Sequence, residues 1–337
     1  MFPTLPVEIF LMVVENVSSV SDLRSLRAVN RALCNAATPA AFRTVGATNR
    51  HDSALGLVSL LESDLAQYVE EATYRDAAAG DGKKSSRGAA DEDASYGPAV
   101  QDTLVRAFSG AARLPRLKSL RFTFHPTYPD SVLQNLHAGV FPTHTRHNAC
   151  ASVHLQHALI ATVEGATPHL RSLALENVTS VHNAVYASSG FTAAISSITH
   201  LRLTTALHTS TAQASSASLP STIFWFVSVH TYMLECAKNV VSLTLASDVR
   251  FLSPVVKWKV ILLPRLKYLA VKISHTNIAW VTQRCKEDFV PRHGQLEWID
   301  LGAGADKVWW IRHTHADPQD VSEYEIPPSV ALEHTGN

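Results

Sequence analysis

The sequence has few charged residues and no excess of either sign. Only 17% of its 337 residues are charged, and 29 Lys and Arg are balanced by 29 Asp and Glu. A neutral chain lacks the broad basic surface that holds phosphate backbones, so no nucleic-acid partner is expected. The chain is long enough for a sizeable core, with 46% hydrophobic residues. No run reaches the ~18 apolar residues that a membrane-spanning helix needs, so no membrane partner is expected either.

Cysteine is also scarce, and its four copies stand far apart at Cys34, Cys150, Cys236 and Cys285. This spacing excludes a dense disulfide framework and a cysteine-based zinc site. It favours reduced thiols in a cytoplasmic or nuclear protein. The apolar run over residues 10–14 has no Lys or Arg before it, so no secretory signal is expected.

The signatures of common enzyme classes are missing as well. The chain has no Gly-x-Ser-x-Gly elbow, no Gly-x-x-x-x-Gly-Lys-Ser/Thr phosphate loop and no Gly-x-Gly-x-x-Gly dinucleotide loop. Among its 17 His, His313-x-His315-x-Asp317 has ligand types but no recognised metal spacing, and His144, His147, His154 and His157 are expected to be surface residues. We therefore predict a protein that is not an enzyme and has no catalytic residues, metal or cofactor. The alternative is a divergent α/β enzyme, with a deep polar pocket uniting His144, His147 or His313 with carboxylates.

A short apolar pattern recurs through the middle of the chain. It has the form Φ-x-x-Φ-x-Φ, where Φ is apolar, and its copies begin 26 to 53 residues apart. The clear copies are Leu117, Leu120, Phe122; Leu170, Leu173, Leu175; Ile198, Leu201, Leu203; Val240, Leu243, Leu245; Leu266, Leu269, Val271; and Leu296, Ile299, Leu301, with a weaker one at Val69, Ala72, Tyr74. Some intervals lie close to the leucine-rich period of 20–29 residues, and the longer ones require insertions.

The pattern predicts a strand followed by a helix in each unit. Its last two apolar positions are two residues apart, so both lie on one face of a strand. Some spacers have helical periodicity, as in Val100, Leu104, Phe108 and Ala111, and in Ile278, Val281, Cys285 and Phe289. Units too small to close their own core favour an irregular α/β solenoid over 49–301. An ordinary α/β sheet domain is the alternative.

Three further segments complete the predicted organisation. Residues 1–48 form a helical module, 76–99 form a flexible loop rich in Ala, Gly, Ser and charge, and 302–337 form a C-terminal cap and tail. Within the module, one helix is expected from about Pro6 to Val17. Its apolar arc of roughly 200° is wider than the ~100° that a surface helix needs. Either the solenoid or a partner protein must cover the surplus.

A second helix is expected to begin at Ser21, as N-cap, and to be divided at Asn30. Thr38-Pro39 is expected to end the helical run.

The helical module resembles an F-box of the kind abundant in fungi. The resemblance rests on four segments: Leu5-Pro6-Val7-Glu8-Ile9, Ser21-Asp22-Leu23-Arg24-Ser25-Leu26-Arg27-Ala28-Val29-Asn30-Arg31, Leu33-Cys34 and Phe42-Arg43. It implies three helices that dock on a Skp1-type adaptor and, through it, on a cullin. The repeats resemble the leucine-rich type often joined to this module. The chain would then be the substrate receptor of a ubiquitin ligase, and it would bind an unidentified protein substrate.

The resemblance also implies which residues meet the adaptor or hold the helical core. Carried over by position, they are Leu5, Pro6, Ile9, Val13, Leu23, Leu26 and Val29. The alternative is a protein-interaction scaffold in which the F-box-like helices are only a cap on the repeats and act outside a ligase.

Residues between the apolar positions of each strand face away from the core, and solenoid faces of this kind commonly bind partners. Exposed Arg, Tyr and Trp are the usual anchors of protein interfaces. The predicted substrate-binding residues are Arg121, Arg202, Tyr268, Lys272 and Trp298. For Tyr268 and Trp298 the alternative is packing under a neighbouring loop.

Overall fold

The protein is a mixed α/β structure built on a single nine-stranded sheet. The computed structural model describes residues 6–76, 97–124, 147–166, 168–178, 184–205, 233–247, 262–273, 287, 289–301 and 308–311. The strands are β1 (Thr44–Thr48), β2 (Glu71–Arg75), β3 (Ser119–Thr123), β4 (Ser172–Val178), β5 (His200–Thr205), β6 (Ser242–Ser247), β7 (Tyr268–Ile273), β8 (Trp298–Leu301) and β9 (Val308–Ile311).

The strands lie side by side in the order in which the chain makes them. Strands β1 to β8 are parallel to one another, and β9 closes the C-terminal edge as an antiparallel partner of β8. All seven predicted copies of the apolar pattern form strands, β2 to β8. Equivalent positions are paired in register, so that Leu120 faces Leu173 and Leu173 faces Leu201.

Every parallel strand after the first joins the sheet through the same hydrogen bonds. One backbone carbonyl accepts the N–H groups of two successive residues, the last before the new strand and the first within it. In chain order the acceptors are the carbonyls of Arg43, Glu70, Lys118, Arg171, Thr199, Val241 and Lys267. Because the junction is repeated, each strand begins at the same level as its neighbour. The apolar positions of successive units therefore stack in rows.

The apolar side of the sheet is covered by helices. These are α4 (His51–Leu61), α5 (Pro98–Ala112), α6 (His147–Ala161) and α7 (Ser189–Ser197). Val100, Leu104, Phe108 and Ala111 of α5 are all buried, which confirms the predicted helical face. Phe108 packs against Phe122 of β3 with ring centroids 5.2 Å apart. Burial of side chains of this size contributes about 1.5–3 kcal/mol each.

Three helices precede the sheet: α1 (Val7–Glu15), α2 (Val20–Val29) and α3 (Arg31–Ala41). Asn30 divides α2 from α3 as predicted, and its Oδ1 accepts a hydrogen bond from the Leu33 N–H at 2.9 Å. The predicted N-cap at Ser21 is wrong. The N-cap is Ser19, whose Oγ accepts a hydrogen bond from the Asp22 N–H, and α2 therefore begins at Val20.

The prediction that Thr38-Pro39 ends the helical run is also wrong. Helix α3 continues through Pro39 to Ala41. Pro39 removes one N–H donor, but the helix keeps a buried face of Ala36, Ala37 and Ala41. Packing of this face therefore offsets the lost hydrogen bond.

Strand β1 places residues 44–48 in the sheet, so the helical segment ends at Ala41 and not at residue 48. The pattern Phe42, Val45, Ala47 is an additional copy, 27 residues before the copy that begins at Val69, and it is not among the predicted copies. Val45 and Ala47 are buried like their counterparts in the other strands.

The predicted loop and tail are largely outside the described residues. Of 76–99, Asp76 is buried at the end of β2 and residues 98–99 begin α5, while 77–96 lie outside. Of 302–337, the description covers only β9. Of the second predicted helical face, only Phe289 is described, and it is buried. No helix in the described ranges is long and apolar enough to cross a membrane.

The buried imidazole of His293 connects the segments that precede β7 and β8 through hydrogen bonds. It is 2% exposed, its Nε2 accepts the Leu263 N–H at 3.0 Å, and its Nδ1 lies 2.9 Å from the Phe289 carbonyl, to which it donates. Only the neutral ring can accept at Nε2. Burial, with nearby Arg292 adding to it, lowers the pKa of His293, although the bond to the Phe289 carbonyl opposes this.

We expect His293 to make the stability of this region pH-dependent. Because its pKa is lower in the folded than in the unfolded protein, its contribution is complete above about pH 6.5 and declines as pH falls below that value. The free energy of unfolding in urea, measured at neutral and mildly acidic pH, should fall less on acidification in His293→Gln than in the wild type. The exposed His169→Gln is the control and should behave as wild type; equal acid loss in all three proteins would contradict the assignment.

Candidate interaction surfaces

The three N-terminal helices form a small core of their own. Val14, Leu23, Ala36, Ala37 and Ala41 are its buried residues, and they belong to a cluster separate from the core under the sheet.

Arg27 of α2 ties these helices to the start of the first unit. Its Nε donates to the Thr38 Oγ1 at 3.0 Å, and its guanidinium lies 4.6 Å from the centroid of the Phe42 ring. The Arg27 side chain thus contributes a hydrogen bond to α3 and a cation–π contact to the residue that leads into β1.

Helix α1 is apolar on both sides, and its own chain covers only one of them. Phe10, Val14 and Val17 face the helical core. On the other side, Ile9, Met12 and Val13 expose 41%, 58% and 44% of their surface. Val7 and Leu11 are exposed as well. Within the described ranges, the sheet domain does not cover this side of α1.

The residues assigned to the adaptor divide between surface and core. Pro6, Ile9, Val13 and Val29 are exposed, and Leu26 is half-buried. Leu23 is 5% exposed because it packs in the helical core. It therefore stabilises the module and cannot contact a partner directly. Leu5 lies outside the described residues.

A second surface is the side of the sheet that the helices of the described ranges leave uncovered. Here Arg121 of β3 and Arg202 of β5 lie in one row, on either side of Ala174 of β4. Because neighbouring strands are ~4.8 Å apart and Ala174 is small, the two guanidinium groups can reach across β4.

Glu176 of β4 lies between the two arginines. Its Oε1 is 3.0 Å from the Arg202 Nε and 3.9 Å from the Arg121 Nε, and its Oε2 accepts a hydrogen bond from the Thr123 Oγ1 at 2.9 Å. The Glu176 side chain is only 18% exposed, against 32% for Arg121 and 39% for Arg202. We call these three residues the Arg–Glu–Arg cluster. Glu176 is not among the residues predicted from the sequence, although it occupies the next outward position after Ala174 on β4.

A β-bulge follows this carboxylate. The register of β4 against β5 shifts between Leu175 and Val178, and Asn177 has φ 58°, the only positive φ among non-glycine residues in the described part of the chain. The Asn177 Nδ2 donates to the Phe124 carbonyl at 2.9 Å, and the Phe124 N–H donates to the Glu176 carbonyl at 3.0 Å. These bonds tie the backbone that directly follows Glu176 to the end of β3.

Tyr268 and Trp298 form a separate group near the C-terminal edge. They are paired in register on β7 and β8, and both are half-buried. The Tyr268 hydroxyl donates to Glu297 Oε2 at 3.1 Å, and Lys267 Nζ lies 2.6 Å from Glu297 Oε1. The hydrogen bond from Lys267 is the main cause that lowers the pKa of Glu297, whereas burial chiefly raises that of Tyr268.

The predicted substrate-binding residues therefore form two groups on one sheet, with β6 between them. Lys272 belongs to the β7 backbone opposite Ala246, and its side chain lies outside the described residues. In the described ranges no group of three or more His, Cys, Asp or Glu could hold a metal ion. Of the histidines considered as ligands, His144, His313 and the side chain of His147 lie outside them, His154 is exposed as expected, and His157 is buried, contrary to expectation. A scan of protein-family models and a search of curated proteins find no significant match to this chain.

We expect the bulge to depend on the identity of residue 177. Asn177→Ala loses the bond to Phe124 and places a β-carbon in the left-handed region, which costs about 1–2 kcal/mol. Asn177→Gly loses the same bond but adopts this φ freely. Urea unfolding should therefore show Asn177→Ala to be less stable than Asn177→Gly by about 1 kcal/mol, and equal stabilities would contradict the assigned backbone conformation.

Proposed function

We propose that this chain is the substrate-recognition subunit of a Skp1–cullin–F-box ubiquitin ligase. The observation that carries the proposal is the exposed apolar side of α1, which includes Ile9, Met12 and Val13. Large contiguous apolar patches on a soluble protein are typical of interaction sites. The Leu-Pro-x-Glu-Ile opening of the sequence adds the resemblance to an F-box.

The packing of the helical module fits this role. Val14 and Leu23 hold the helices together from within, so the outer side of α1 can bind a Skp1-type adaptor without losing contacts that the fold needs. Val29 at the end of α2 is a further exposed apolar residue of the helical module. A partner that buries these side chains gains about 25 cal/mol for each Å² removed from water.

The sheet domain is proposed to be a leucine-rich-repeat-like solenoid that binds the protein substrate. Its support is the chain-order arrangement of β1 to β8 and the identical hydrogen-bond junction at each strand. Stacked units of this kind present a continuous face of outward residues. The chain would do no chemistry. It would raise the effective concentration of a substrate beside a ubiquitin-loaded enzyme.

The apolar side of α1 can be tested by charge substitution. Ile9→Asp with Val13→Asp should weaken capture of a purified Skp1-type adaptor by at least about tenfold, because two carboxylates would have to be desolvated in the interface. Leu55→Asp is the matched control, since Leu55 is an equally exposed apolar residue on α4, and it should bind the adaptor as wild type does. Circular dichroism checks that all variants are folded.

Two outcomes would overturn the proposal. If the folded wild type does not bind the adaptor, the receptor role fails and the scaffold role is favoured. If the double variant binds as tightly as the wild type, the adaptor does not use this side of α1.

A further inference from the structure

The Arg–Glu–Arg cluster has more positive than negative charge. One carboxylate, that of Glu176, is the ion-pair partner of two guanidinium groups. The side chains of all three residues are partly shielded from water. Arg75 adds a third exposed cation on the same side of the sheet, because it is paired with Thr123, which in turn is paired with Glu176. On this side of β2 to β5, three arginines (Arg75, Arg121 and Arg202) stand against two carboxylates (Glu71 and Glu176), an excess of one positive charge in a chain that is neutral as a whole.

The contacts of the cluster leave the ends of both guanidinium groups available. Glu176 approaches Arg121 and Arg202 through their Nε atoms. Within the described residues no protein group hydrogen-bonds their Nη atoms, which are the donors that bind oxyanions in a bidentate manner. The carboxylate thus forms an ion pair beside both guanidinium groups and leaves their Nη donors unoccupied within the described ranges.

The backbone next to the cluster has an unusual conformation. The bulge and the positive φ of Asn177 directly follow Glu176, and unusual conformations of this kind are concentrated beside functional sites. The floor between and beside the arginines consists of small residues, Ala174 and Thr244, so an extended chain can approach the sheet closely.

We propose that Arg121 and Arg202 bind the oxyanion of a side chain, carboxylate or phosphate, in an acidic protein segment lying across β3 to β5. Glu176 positions the two guanidinium groups and also competes with the incoming anion. This inference names the substrate class for the proposed receptor and rests on that function, but the binding step itself needs no adaptor.

The test is a titration of the full-length protein, without adaptor, into short fluorescent peptides followed by anisotropy. The probes are a Glu-rich peptide, its phosphoserine counterpart and a Gln-substituted counterpart. We expect the two anionic peptides to bind and the Gln peptide not to bind. The tighter of the two anionic peptides distinguishes a carboxylate ligand from a phosphate ligand. Binding of all three peptides with equal affinity would overturn the proposal.

The variants give opposite expected signs. Arg202→Gln and Arg121→Gln should each weaken anionic-peptide binding roughly tenfold, the effect of losing a charge-assisted hydrogen bond. Glu176→Gln should strengthen it severalfold, because the competing carboxylate is removed. Arg265→Gln removes an exposed charge at the turn before β7, outside the cluster, and should have no effect. Arg121 and Glu176 variants that behave like Arg265→Gln would contradict the proposal.

Two controls keep the result interpretable. Arg121 has the longer contact to Glu176, 3.9 Å, so Arg121→Gln should remain folded and decides the question if Arg202→Gln does not fold. Adaptor capture by Arg121→Gln should equal that of the wild type. If Arg121→Gln loses peptide binding but still captures the adaptor, the effect is confined to the cluster. If the protein binds the peptide but does not capture the adaptor, only the ligase assignment fails.

Discussion

The structure depends on one repeated constraint, the junction at which each parallel strand joins the last. A single carbonyl accepts two successive N–H groups at all seven junctions, from Arg43 to Lys267. This sets every strand at the same level, so residues two apart in each unit share one face with their counterparts. The apolar rows under the sheet and the polar rows on its uncovered side both follow from it. A one-residue slip would exchange the two faces.

The two candidate surfaces arise from different physical limits. The outer side of α1 is exposed because a helix can pack only one side against a small three-helix core. Val14 and Leu23 already fill that core. The Arg–Glu–Arg cluster lies on the side of the sheet opposite the described helices, where polar residues of the strands point outward. The first surface is apolar and suits a permanent partner, and the second is charged and suits selective recognition. Their separation allows the proposed adaptor and substrate to bind together.

Apart from the division of the helices at Asn30, the predictions that held depended on periodicity. Leu120 and Phe122 belong to a strand, and Leu104 and Phe108 to a buried helical face, because spacing of two or of three and four leaves few alternatives. The predictions that failed depended on single residues. Pro39 did not end α3, because burial of Ala36, Ala37 and Ala41 outweighs a missing hydrogen bond. Strand β1 was missed because Ala47 is a weak apolar signal, and because the helical resemblance was extended over it.

The sequence by itself determined the α/β class, the positions of seven strands and the outward placement of Arg121 and Arg202. These follow from local alternation, which the backbone obeys whatever its neighbours are. Only the tertiary structure decided that the strands lie in chain order, that Leu23 is buried while Ile9 is exposed, and that Glu176 stands between two arginines. Contacts between residues some 26 to 55 positions apart depend on register and on the bulge at Asn177, and no local pattern encodes either.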